Sequence, residues 1–341
     1  MMKRSCLVIS FLFLLGIKAQ SQDVQYSQFY ANPFYLNPAL AGSTELSRVG
    51  VNFRNQWPAL DQSFIAYTAY ADHFFKKYNS GIGLIVSGAR ESFTQSSTNE
   101  IGLAYSYRLR LAEKRFLHVG AQASLLSRDV LFDQVILGTQ LDIDKGVIVG
   151  EPGQGFTGDS RLRKADLNTG LLYYEEKFWI GFSAFHLLKP QISYLKINSN
   201  KLPIKYSIHG GVRFNLAPGY INDFFNNTDQ ERSIAIAFNY KSQGAFDQLD
   251  IGTEFYFEPL VVGFWYRGLP TKYNLPNNES LIGRVGVELD SGLDFGYSYD
   301  FSISKLGQRV SGGAHEISVR YVFSSKDPSK KYYPELPTFR Y

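Results

Sequence analysis

Leu293-Asp294-Phe295-Gly296-Tyr297-Ser298-Tyr299-Asp300-Phe301, and after a loop Glu316-Ile317-Ser318-Val319-Arg320-Tyr321-Val322-Phe323, decides the fold. In an extended chain successive side chains point to opposite faces. Leu293, Phe295, Tyr297, Tyr299 and Phe301 therefore share one face, and Asp294, Gly296, Ser298 and Asp300 the other. The second run sets Ile317, Val319, Tyr321 and Phe323 against Glu316, Ser318 and Arg320. A soluble sandwich also alternates. Three features favour a membrane: runs of about ten residues, apolar faces rich in Tyr and Phe, and full charges on the polar faces. On that reading arginine at Val319 or Tyr297 is costly, and arginine at Ser318 or Ser298 is tolerated.

The same pattern recurs along the chain. Candidate strands are 47–55, 63–73, 80–89, 98–109, 116–127, 166–174, 178–188, 204–216, 232–241, 248–257, 260–267, 280–289, 293–302 and 314–323. They total fourteen, an even number, as single-chain bacterial barrels require. The expected fold is an all-β, antiparallel outer-membrane barrel spanning 47–323. It is preceded by an N-terminal extended arm, 20–46, and followed by a tail, 324–341.

The connections alternate in length. Every second one is tight: Lys76-Lys77-Tyr78-Asn79, Ala112-Glu113-Lys114, Glu175-Glu176-Lys177, Glu258-Pro259 and Asp290-Ser291-Gly292. Those between them include the long stretches 128–165, 189–203 and 268–279. Outer-membrane barrels have short periplasmic turns and long external loops, so the tight set is expected to be periplasmic. The stretch 217–231 breaks the rule, being too long for a periplasmic turn.

Composition is compatible but undecided. Aromatics make up 16%, with 23 Tyr and 27 Phe against 3 Trp, which suits aromatic girdles and equally suits a secreted all-β protein. A mean hydropathy of −0.18 is too polar for a helical membrane protein. The net charge of +4 shows no nucleic-acid footprint.

Residues 1–19 read as a cleaved signal peptide: Lys3 and Arg4, then an apolar run 6–17, with Ile17 and Ala19 at positions −3 and −1. Cleavage after Ser21 is the alternative. Cys6 precedes the apolar run, so the mature chain is expected to lack cysteine, disulfides and thiol chemistry.

The arm has no periodicity, but it holds Tyr26, Phe29, Tyr30, Phe34 and Tyr35 and two turn-forming steps, Asn32-Pro33 and Asn37-Pro38. A solvated linker has no use for those aromatics. The arm is expected to pack against the lumen as a plug or to bind a partner. Because it precedes the first strand, it is expected to start on the periplasmic side. The polar faces of the strands carry Arg48, Arg54, Glu254, Arg284, Glu288, Glu316 and Arg320 as candidate lumen charges. Unpaired charges in a confined lumen are costly. They are read either as a salt-bridged interior or as groups that hold a plug.

Tyr26-Ser27-Gln28-Phe29, the two Asn-Pro steps, Ala39-Leu40-Ala41-Gly42 and Arg54-Asn55-Gln56-Trp57 resemble the opening of the PorP/SprF family of type IX secretion system membrane proteins. Tyr297-Ser298-Tyr299-Asp300 and Gly313-Ala314-His315-Glu316-Ile317 resemble its last hairpin. The resemblance implies a non-enzymatic outer-membrane component of type IX secretion, supporting secretion or surface attachment of clients such as gliding adhesins. It also implies partners: periplasmic ring and lipoprotein components of that system, and a client's C-terminal domain.

Two other classes stay open, a diffusion channel for small solutes and an outer-membrane hydrolase. The sequence offers the hydrolase little. It has no Gly-rich phosphate loop, no His-x-x-x-His spacing and no Gly-x-Ser-x-Gly elbow. His73, His118, His186, His209 and His315 are scattered, and only His315 has serines near enough to suggest a Ser–His pair. Asp142, Asp144 and Asp159 lie among glycines, but their spacing is not that of a calcium loop. No cofactor is expected.

Overall fold

Fourteen strands close into one antiparallel barrel in the computed structural model, which describes residues 23–60, 63–92, 95–131, 141–142, 145–150, 160–194, 200–216, 232–269 and 277–323. The signal segment, the tail, the stretch 217–231 and much of the loop 128–165 lie outside the described residues. The strands are β1 (Ser47–Gln56), β2 (Phe64–Phe75), β3 (Ser80–Glu91), β4 (Ser96–Ala112), β5 (Arg115–Val130), β6 (Arg161–Glu175) and β7 (Phe178–Phe185). They continue as β8 (Lys205–Asn215), β9 (Arg232–Gln243), β10 (Phe246–Phe257), β11 (Leu260–Leu269), β12 (Asn277–Glu288), β13 (Leu293–Ser302) and β14 (Ala314–Phe323). Each pairs with its sequence neighbours, and β1 pairs with β14 from Ser47↔Phe323 to Gln56↔Ala314.

All fourteen expected strands are present. The largest boundary difference is at β6, which begins at Arg161 rather than at 166. The long loop before it also holds a small ribbon, Leu141–Asp142 paired with Val147–Ile148.

The barrel is inside out relative to a soluble protein. On β1 the outward Val51 and Phe53 are 52% and 47% exposed, while the inward Asn52 and Arg54 are 2% exposed. Leu103, Phe264, Val285 and Ile317 are likewise exposed on the outer wall. Every strand bonds to two neighbours, so no backbone edge faces hydrocarbon. No described helix is long and apolar enough to cross a membrane; the strands cross it.

The tight connections 76–79, 113–114, 176–177, 258–259 and 289–292 share one end of the barrel. The connections 131–160, 186–204 and 303–313 share the other. Three connections break the pattern: 216–231 at the short-turn end, and 92–95 and the two-residue link 244–245 at the long-loop end.

The expected extended arm has another conformation. It winds through a 3-10 turn at Phe29–Ala31, α1 at Pro33–Leu36, and a second 3-10 turn at Pro38–Leu40. The two Asn-Pro steps account for this. Proline lacks the N–H that a first helical turn leaves unbonded anyway, and its fixed φ suits helix entry. Pro33 and Pro38 both sit at the start of a turn, and extended Asn37 supplies the corner between two of them. Helical turns rise about 1.5–2.0 Å per residue against about 3.3 Å for a strand, so more side chain is packed into each length of lumen.

Candidate functional site: the arm-filled lumen

The barrel's apolar core lies in its lumen, and the arm builds it. Phe29, Tyr30, Leu36, Ala39 and Leu40 cluster with Phe116, Leu172, Tyr174, Trp179 and Trp265 of the wall. Phe34 and Ala41 cluster with Tyr70, Ile85 and Ala104. Phe29 meets Trp265 edge-on at 5.1 Å, and Phe34 meets Tyr70 at 5.6 Å. The Trp179 indole N–H donates to the Tyr30 hydroxyl at 3.2 Å, and Tyr35 donates to the Val24 carbonyl at 3.0 Å. Burying such a ring is worth about 1.5–3 kcal/mol.

The wall makes room at glycines. A Cβ on Gly81 would stand 2.1 Å from the Ala41 carbonyl oxygen, and one on Gly120 would stand 2.3 Å from the Ala39 nitrogen. No side chain fits where the arm's backbone lies directly against β3 and β5.

Polar contacts fix the arm residue by residue. Ser27 and Gln28 donate their backbone N–H groups to the two carboxylate oxygens of Glu316, at 2.7 and 2.9 Å. The Ser27 hydroxyl donates to Asp300 at 2.7 Å and accepts from Arg54 at 2.8 Å. The Gln28 side chain donates to the Glu316 carbonyl at 2.9 Å and accepts from Ser318 at 2.8 Å. Tyr26 shares a 2.8 Å bond with Thr68. Asn37 caps the second 3-10 turn by accepting from the Ala39 N–H at 2.9 Å, and donates to the Leu171 carbonyl at 2.9 Å. Asn32 is 1% exposed, and its side chain has no such partner.

Of the expected lumen charges, Arg48, Arg54, Glu254, Arg284, Glu316 and Arg320 face inward in ion pairs. Arg54 bonds Asp300 at 2.8 Å and Glu316 at 3.1 Å; Arg284 bonds Glu254 at 2.8 Å; Arg48 bonds Asp72 at 2.9 Å. Arg320 pairs with Asp294. Glu288, half-buried, lines a small cavity at the short-turn end with Arg284, Asp294 and Arg320. Arg267, not among the candidates, joins the network by bonding Asp250 at 2.7 Å and Asp300 at 3.1 Å. Both signs meet within bonding distance, which is the condition for keeping charges in a closed space.

Asp23, outside the expected set, ties down the start of the arm. It accepts from Lys205 at 2.6 Å, from His186 at 2.9 Å and from Gln243 at 3.2 Å, while its own N–H donates to Gln243 at 3.1 Å. His186 bonds Asp166 with its other nitrogen at 2.6 Å. Burial alone would raise the Asp23 pKa, but the His186 and Lys205 charges outweigh it and hold the carboxyl well below its usual range. Burial would lower His186, which lies just beyond the end of β7; the Asp23 charge and the Asp166 bond instead raise it to about 9.

The arm does not start where its place in the chain suggests. Lys205 opens β8 and Gln243 ends β9, so Asp23 lies at the long-loop end. At the other extreme Gly42 donates to Asp72 at 2.7 Å and Glu45 pairs with Arg108, near the short-turn end. The segment crosses the whole lumen before β1 begins. Chain order fixes only where the arm ends, and the lumen contacts fix where it begins.

Among the described residues no group of His, Cys, Asp and Glu is placed to hold a metal ion. Asp144 and Asp159 fall outside the described residues. His315 sits on the outer wall and bonds the Tyr297 hydroxyl at 2.8 Å.

Several solved proteins are distantly similar. Omp33 of Acinetobacter baumannii is 10% identical, with 83% of this chain and 100% of that one covered and a TM-score of 0.41. A FadL homologue of Pseudomonas aeruginosa is 12% identical over 84% and 93%, with a TM-score of 0.40. CymD, a monoaromatic hydrocarbon channel, is 14% identical over 86% and 93%, at 0.45. Likeness this distant carries no functional argument. No curated protein sequence matches. The family model for the type IX secretion system membrane protein PorP/SprF matches residues 18–321, nearly the whole chain, and the protein belongs to that family.

Proposed function

We propose that this outer-membrane barrel is a non-enzymatic component of type IX secretion, supporting the secretion or surface attachment of client proteins such as gliding adhesins. Its partners are then periplasmic ring and lipoprotein components of that system and a client's C-terminal domain. Family membership supports the secretion role. The observation that carries the structural, non-conducting reading is the lumen itself, filled by the chain's own arm through Tyr26, Phe29, Tyr30 and Phe34. A diffusion channel needs a water-filled path, and here paired charges and packed rings occupy the cross-section. The arm residues Tyr26, Phe29, Tyr30, Asn32, Pro33, Phe34, Tyr35, Asn37 and Pro38 serve as a plug on this reading, leaving partners to bind the rims and the outer wall.

Affinity capture of the tagged protein from crosslinked membranes tests it. Ring and lipoprotein components should co-purify, and deleting the gene should abolish surface display of a client. Unchanged client display in the deletion strain, or steady single-channel conductance of the purified barrel in planar bilayers, would overturn the proposal.

A further inference from the structure

We infer that the mature chain begins at the cell exterior: the arm is a strap threaded lengthwise through the lumen, with its free end latched at the external mouth by Asp23. The contacts at the two ends of the arm argue for this. Asp23 touches His186, Lys205 and Gln243, all at the ends of their strands on the long-loop side. Four residues later Ser27 bonds Asp300 and Glu316, each two residues inside that same rim. Tyr30 reaches Trp179 beside the short-turn rim, Tyr35 returns to the Val24 carbonyl near the mouth, and Asn37 contacts His209 in mid-wall. Ala39 then meets His118, Ala41 meets Ser106, and Gly42 meets Asp72 towards the short-turn rim. The path doubles back between these points, but its two ends lie at opposite rims, Asp23 at the long-loop end and Gly42 towards the short-turn end. Long loops of outer-membrane barrels face outward, so the strap starts outside and ends in the periplasm.

The Asp23 cluster holds the start of the strap in place. The Asp23 carboxylate accepts from three side chains, and its own N–H is also bonded. The segment after His186 bonds the strand ends at the same rim: Arg128 donates to the Ile192 carbonyl at 3.4 Å, and the Tyr194 hydroxyl meets Ser96 at 3.3 Å. Withdrawing the strap towards the periplasm means breaking the Asp23 cluster and the Glu316 bonds while carrying five aromatic side chains past Gly81 and Gly120. The arm is therefore unavailable as a periplasmic docking peptide, and whatever meets the mature N-terminus meets it outside the cell.

Single cysteines in the full-length protein test this, because its only natural cysteine, Cys6, lies in the expected signal segment. Val24→Cys and Leu46→Cys mark the two ends of the strap, both at partly exposed positions. A bulky polyethylene-glycol maleimide, unable to cross the outer membrane, is applied to intact cells and then to permeabilised ones. Val24→Cys should label on intact cells, and Leu46→Cys only after permeabilisation. The reverse pattern, labelling of both on intact cells, or labelling of Val24→Cys only after permeabilisation would overturn the inference. A protease recognition sequence inserted immediately before Asp23 gives an independent reading. It should be cut by protease added to intact cells, and protection there with cutting after permeabilisation would also overturn it. Heat-modifiable migration of each variant on a gel confirms that the barrel has formed.

Discussion

Arg54 on β1 and Glu316 on β14 stand directly opposite each other across the seam that closes the barrel, and the guanidinium bonds the carboxylate at 3.1 Å. The same Arg54 bonds Asp300 and the Ser27 hydroxyl, so one side chain joins first strand, last hairpin and arm. Removing one member of a buried ion pair strands the other and costs about 3–5 kcal/mol. Arg54→Ala should therefore lower stability by about that amount in a urea titration of the reconstituted barrel. A loss within the ordinary surface range of about 0.5 kcal/mol would mean that this network does not close the seam.

The glycine at position 81 is the sharpest test of arm docking. A side chain there collides with the backbone of Ala41, and no rotamer can relieve a clash at Cβ. Gly81→Val should leave the barrel heat-modifiable, displace the arm, make it sensitive to added protease and raise ion conductance. Gly283, whose Cβ would meet nothing within 4 Å, is the control, and Gly283→Ala should behave like the parent. An unchanged, protease-resistant arm in Gly81→Val would reject the docking geometry.

Alternation made the barrel legible because period two reports which face each residue occupies, and the face survives errors in strand ends. Leu293 to Phe301 read the same way in sequence and structure. The lumen was less legible. That Tyr30, Phe29 and Phe34 need burial follows from their chemistry, but their partners Trp179, Trp265 and Tyr70 lie far along the chain. Asp23 carries no local signal, since its ligands come from three separate strand ends. The arm's direction is not legible in chain order, because a segment that precedes a strand need only end, not begin, on the side where that strand starts. The helical turns have a visible cue in Asn32-Pro33 and Asn37-Pro38, since an Asn-Pro step suits helix entry as well as a corner.

The filled lumen also changes what the two faces tolerate. Alternation alone treats Ser318 as a position on a wet wall that accepts arginine. Ser318 instead bonds Gln28, so Ser318→Arg collides with the arm. Val319→Arg places a charge in lipid and should cost about 2–4 kcal/mol near the midplane. Both should destabilise, by different mechanisms. In a chain lacking residues 23–42 the Ser318→Arg penalty should shrink, while the Val319→Arg penalty persists. Equal penalties in the armless barrel would mean that the register is wrong by one residue.

The Asp23 latch has a working pH range. The His186 value in the folded chain, about 9, lies above its ordinary value of about 6.5. Its contribution is thus fully present below about 6.5, declines as the pH rises, and is lost above about 9. Asp23 is shifted the other way, so its contribution is present above its ordinary value near 3.9 and lost as the pH falls through the depressed one. The latch should hold through neutral pH and loosen in mild alkali. Intrinsic fluorescence can follow this, because Trp179 and Trp265 both pack against the arm and the chain has only 3 Trp. The parent protein should show a transition between about pH 8 and 9.5, before ordinary tyrosines ionise near 10. His186→Gln, which keeps a neutral donor and cannot titrate, should lack it. A transition of equal size in His186→Gln would assign the change to another group and remove His186 from the latch.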